Sequence, residues 1–122
     1  MRNTVAIALA GARGVLARHA IQQLVPRHGG ISWGTFLVNV SGAFLMGLLF
    51  TILVRHFSVP LWIQEAVLVG VLGGYTTFSA ISLETYLLLE RGRYGFAAAY
   101  SLGTLVAGLA ALMAGIRLDR LG

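Results

Sequence analysis

The sequence predicts an all-α integral membrane protein of four transmembrane helices, the third of them broken near mid-membrane. Three observations carry that prediction. The first is composition: of 122 residues, 57% are hydrophobic and 11% charged, where soluble domains carry about a quarter charged residues. A water-soluble chain of this length exposes too much of its surface to hide so many apolar side chains, so the remaining solvent is lipid. The second is that four apolar stretches, near 3–25, 32–54, 61–90 and 94–116, each supply the roughly 20 residues that a helix needs to cross a bilayer. The third is that the connections are short, so the chain 1–122 reads as a single four-helix transmembrane domain.

The first stretch contains Arg13 and Arg18 and lacks a convincing small-residue cleavage site, so it reads as a mature helix rather than a signal peptide. Pro26-Arg27-His28-Gly29-Gly30 ends it and leads into the second. The second stretch holds Asn39 near its middle, where an amide must find partners. It serves either as a bond between helices or as an N–H donor to a passing anion.

The third stretch is the informative one. Gly73-Gly74-Tyr75-Thr76-Thr77 gathers poor helix formers in mid-membrane, and unwound backbone at that depth survives only when buried in protein or turned toward an ion or water. Freed carbonyls at Gly73 and Thr76 would suit a small cation shared between two crossing copies. A glycine packing site, with hydroxyls bonded back to their own helix, explains the same residues. Beyond the break, a resumed helix sets Phe78, Ser82 and Thr85 on one face with Ile81 beside them, and Thr77, Ser79 and Glu84 add hydroxyls and a carboxylate. A ring such as Phe78 can meet an anion with its positive edge, although a lone membrane Phe usually packs. The fourth stretch places Tyr100 and Thr104 one turn apart, facing either the same route or a neighbouring helix.

Charge excludes several classes of function. All nine cationic residues are arginines, scattered singly and mostly at the ends of apolar runs, which fits lipid headgroups and not nucleic acid. Arg18, near the end of its span, either snorkels to the interface or lines a positive vestibule. There are no cysteines, His19, His28 and His56 lack metal-ligand spacing, the four acids are dispersed and no serine has a nearby histidine base. An enzyme is not indicated.

Together Gly11-Ala12-Arg13-Gly14 with Arg18, the run Gly34-Thr35-Phe36-Leu37-Val38-Asn39-Val40-Ser41-Gly42-Ala43-Phe44, and Gly73-Gly74-Tyr75-Thr76-Thr77-Phe78-Ser79-Ala80-Ile81-Ser82-Leu83-Glu84 resemble the Fluc/CrcB fluoride channels, in order and over nearly the whole chain. The resemblance implies an antiparallel, dual-topology homodimer in the plasma (inner) membrane of a bacterium or archaeon. It implies two pores that export fluoride passively and a central structural sodium ion. By position, the carbonyls of Gly73 and Thr76 from both copies would hold the sodium. Asn39 and Phe78 would line the pore, with Thr77, Ser79, Ser82, Glu84, Tyr100 and Thr104 along or near it and Arg18 in the vestibule. The second pore phenylalanine of the family is Ile81 here, which has no ring edge to offer.

Two other readings compete. A proton-coupled small-solute exporter of the four-helix, dual-topology kind needs a deep protonatable carboxylate, for which Glu84 is the sole candidate. A membrane assembly subunit fits the glycines but leaves the mid-membrane polar cluster unexplained.

Four spans put both termini on one face, with Arg2, Arg55, Arg117 and Arg120 there and Arg18, Arg27, Arg91 and Arg93 on the other. The positive-inside rule works through an asymmetry that this distribution lacks, unless the balance is an accident of small numbers. A tag on the C-terminus is therefore expected on both sides of the membrane in one population of cells. Accessibility from one side only would rule dual insertion out.

Overall fold

The computed structural model describes residues 2–118; Arg120, counted above among the charges of the terminal face, lies outside them. The chain is all-helical, with four helical spans long and apolar enough to cross a membrane: Asn3–Leu24, Trp33–His56, Leu61–Glu90 and Tyr94–Leu118. With at most 22% of the residues in any span's most apolar window buried within the single chain, each helix shows most of its surface to lipid or to another protein.

Turn chemistry separates the first two spans. Gly29 and Gly30 both take positive φ, 64° and 79°, which only glycine adopts without strain, and His28 and Ile31 exchange backbone bonds of 3.1 Å across them. Ser32 then caps the second helix, its Oγ accepting from the Thr35 N–H at 3.3 Å. That helix runs regularly over Trp33–Phe50 and widens to a π-helical end at Thr51–His56. The third span starts after Pro60, widens over Glu65–Leu72, and returns to α-helix at Gly73–Tyr75. The fourth follows the turn at Gly92, φ 76°.

Packing is by backbone approach. The second and fourth helices make the most extensive contact, followed by the first with the third. A Cβ on Gly47 would lie 2.2 Å from the Leu112 carbonyl oxygen, and one on Gly115 would lie 2.2 Å from that of Phe44. The first and third spans repeat the device, since a Cβ on Gly14 would lie 2.1 Å from the Val71 carbonyl oxygen. Apolar side chains gain little by meeting one another when lipid is equally apolar, so close backbone contact supplies the dispersion that holds such helices together. A small apolar cluster of Ile31, Leu88, Ala97 and Tyr100, with Phe36 and Ile81 against it, ties the loop end of the second helix to the third and fourth.

Gly47→Ala and Gly115→Ala are each expected to destabilise the chain by about 1–3 kcal/mol, because the backbone carbonyl opposite has to move. Gly95→Ala, which adds a methyl to open space in the single chain, is the control. Thermal unfolding in detergent reads the difference, and equal midpoints for all three variants would contradict this account of the packing.

Candidate functional site

In the third span, Thr76 (φ −89°, ψ 159°) and Thr77 (φ −151°, ψ 121°) leave the helical region. The extended residues are thus the two threonines. Gly73 and Gly74 stay helical, and Gly74 serves close approach instead: a Cβ there would lie 2.6 Å from the Gly11 carbonyl oxygen. Thr77 caps the helix that resumes at Phe78, its Oγ1 accepting from the Ala80 N–H at 3.2 Å.

The interruption is held from outside the span. In an unbroken helix the Thr77 N–H would donate to the Gly73 carbonyl; here it donates to Asn39 Oδ1 on the second helix at 2.8 Å. Asn39 Nδ2 in turn donates to the Thr35 carbonyl at 2.9 Å, which fixes the direction of the amide. Tyr75 is tied to the same helix through a 2.9 Å bond between its hydroxyl and Ser41 Oγ. Thr76 turns both its N–H and its hydroxyl onto the Leu72 carbonyl, each at 3.0 Å.

The carbonyls at this point have different fates. Gly73 has lost its helical donor to Asn39. Gly74 accepts from Arg18 Nε at 3.1 Å, so the guanidinium already occupies that oxygen. Among the described residues no three His, Asp or Glu side chains cluster to hold a metal. Oxygen ligands for a hard cation would therefore be backbone carbonyls, with Gly73 and Thr76 on either side of the occupied one.

A groove of about 800 Å³ opens beside the break, lined among others by Asn39, Thr76, Phe78, Ile81, Ser82 and Thr104. Phe78 stands in it 82% exposed, and Thr85 completes the face of Phe78 and Ser82 anticipated from helical periodicity. Ser82 Oγ donates to the Phe78 carbonyl at 3.1 Å, and Thr104 Oγ1 to the Tyr100 carbonyl at 2.6 Å. Each hydroxyl so satisfied keeps acceptor capacity but has used its proton. Ile81 faces both ways, lining the groove and packing on the apolar cluster.

Other residues singled out in the sequence lie outside that lining. Ser79 Oγ sits 3.2 Å from Thr77 Oγ1 at the start of the resumed helix. Tyr100 is buried beside Thr35, its hydroxyl making no hydrogen bond of standard geometry, and it lines a smaller apolar cavity of about 340 Å³ with Trp33, Phe36 and Phe96. Glu84 is bound by Arg27, whose Nη1 and Nη2 donate to its two carboxylate oxygens at 2.8 and 2.5 Å. The carboxylate raises the Arg27 pKa, chiefly through this hydrogen bond. In the sequence Arg27 is a loop residue, and nothing in residue spacing brings position 27 to position 84.

The family model for the CrcB-like protein, Camphor Resistance (CrcB), matches residues 5–116. Among curated relatives, "Fluoride-specific ion channel FluC 2" of Nitrobacter hamburgensis is 43% identical over 120 residues, covering 97% of both chains. "Fluoride-specific ion channel FluC" of Chelativorans sp. is 42% identical over 122 residues, covering 98% of both, and that of Agrobacterium fabrum is 39% identical with 98% of both covered.

Asn39→Ala would leave the Thr77 N–H without its acceptor at a cost of about 1–3 kcal/mol. Thermal unfolding in detergent checks the assignment: Asn39→Ala should melt below the parent, and an alanine variant as stable as the parent would refute it.

Proposed function

The chain belongs to the CrcB-like family, and on that premise we propose that it conducts fluoride passively out of the cell, lowering its cytoplasmic concentration. The relatives are named ion channels, which are transporters and not enzymes, and four apolar helical spans make the chain a multi-pass membrane protein. The observation that carries the proposal is the groove, where Asn39, Thr76, Ser82 and Thr104 share one open face with the exposed ring of Phe78.

Such a face is costly against hydrocarbon. A second copy, inserted in the opposite orientation, would cover it and turn a groove on each chain into an enclosed route. The working unit is accordingly an antiparallel homodimer with two pores, in the plasma membrane of a bacterium or archaeon. At its centre the Gly73 and Thr76 carbonyls of both copies would ligate a structural sodium ion, which would hold the two breaks together; the donor lost by Gly73 supports that choice of ligand.

Along each route Phe78 presents a ring edge to fluoride, and Asn39, Thr76, Thr77, Ser79, Ser82 and Thr104 supply polar contacts near the break and along the fourth helix. Arg18 brings positive charge beside the break, where it concentrates anions. Tyr100 and Glu84 flank the path from the packed side. Glu84 also weighs against a proton-coupled exporter, since the carboxylate that would carry the proton is held by two bonds to Arg27.

Purified protein in liposomes is expected to release fluoride but not chloride, at a rate unaffected by collapsing the proton gradient. Obligatory coupling to protons would sink the channel reading. Ile81→Phe, which restores a second ring edge, is expected to raise fluoride flux, and an unchanged flux would mean that isoleucine costs nothing at this step.

A further inference from the structure

We propose that Arg27 is the counter-ion that makes the Glu84 end of the fluoride route permeable to anions. The inference rests on the conduction reading above and adds to it a residue from the loop between the first two spans. Glu84 sits on the resumed helix between Ile81 and Thr85, both of which line the groove. Its side chain is only 12% exposed, so water does little to screen its charge. Glu84 itself lies behind the lining, so an anion passing Ile81 and Thr85 would be repelled by its charge unless a cation cancels it.

The cation is supplied in a fixed position. Arg27 grips the carboxylate with both terminal nitrogens, at 2.8 and 2.5 Å, the bidentate geometry that gives such pairs their directionality. Arg27 Nη2 also reaches the Gly30 carbonyl at 3.4 Å, and Arg93 Nη1 donates to the Gly29 carbonyl. The tight turn at Gly29 and Gly30 is thereby held against the third and fourth spans, with the guanidinium directed at Glu84.

A merely structural role is the weaker explanation. The Arg27 side chain is 52% exposed, and half-exposed ion pairs contribute little to stability. Cancelling an enclosed carboxylate beside an anion route is a larger effect, because like charges brought together in a poorly screened site repel strongly. The charge of Arg27 matters more here than its hold on the loop.

Fluoride efflux from liposomes tests the assignment at equal incorporated protein. Arg27→Gln should lower the initial rate about tenfold or more, by exposing the carboxylate. Arg27→Gln combined with Glu84→Gln lacks the ion pair as well but carries no bare charge, and should conduct several-fold faster than Arg27→Gln alone. A double variant no faster than Arg27→Gln alone would overturn the electrostatic role, as would an Arg27→Gln variant that conducts like the parent. Arg27→Cys gives a second reading within one preparation, since the natural chain has no cysteine. A cationic thiol reagent should restore flux and an anionic one should not; equal responses to both would overturn the proposal. A parent chain without fluoride flux is a distinct result, which refutes the channel reading itself.

Discussion

The hydrogen bond from the Thr77 N–H to the Asn39 amide, 2.8 Å long, is the interaction on which the rest of this molecule turns. In lipid a backbone donor without a partner costs several kcal/mol, so a helix can open only where another group takes the donor over. Asn39 does so from the neighbouring helix. One bond therefore decides where the third span opens, which carbonyl is released behind it, and which residues begin the next helix. With Thr77 extended and serving as its own helix cap, Phe78 becomes the first helical residue and stands out into the groove.

That bond is useful only because the helices approach closely enough to make it. Gly42, one turn beyond Asn39, lies under the break: a Cβ there would fall 2.3 Å from Thr76 Cγ2 and 3.1 Å from the Tyr75 ring. On the opposite side Gly74 meets Gly11, and Gly14 meets the Val71 carbonyl. The irregular segment is thus clamped between two helices that carry glycine at the points of contact. Packing and polar bonding are coupled here, since neither the amide bond nor the close approach is available without the other.

Much of this was legible in the sequence because lipid imposes few but strong rules. Four apolar stretches must be helices, since no other open segment satisfies its backbone in hydrocarbon, and the face of Phe78, Ser82 and Thr85 follows from helical period. The weakness of Gly73-Gly74-Tyr75-Thr76-Thr77 was equally visible, but its division of labour was not. Propensity ranks glycine as the poorer helix former, yet the glycines stay helical: Gly74 packs against Gly11 of the first helix, and neither glycine has a side chain to compete for backbone. The threonines become extended because a specific acceptor waits for Thr77. Tertiary bonds of that kind, like that of Arg27 to Glu84 across fifty-seven residues, leave no trace in local spacing.

Where the charges fall gives the arrangement its consequence for an anion. The groove contains Asn39, threonine and serine hydroxyls, the rings of Phe78 and Tyr86 and aliphatic side chains, and among the described residues its lining holds no Arg, His, Asp or Glu. Two arginines bond to the broken span, Arg18 to the Gly74 carbonyl and Arg27 to Glu84, and neither lines the groove. A bare guanidinium inside the route would hold an anion too firmly for it to leave, and a bare carboxylate would keep it out. Conduction needs binding strong enough to draw the ion from water and weak enough to release it. Hydroxyls and a ring edge are groups of that intermediate strength, and they are what the groove beside the broken span presents.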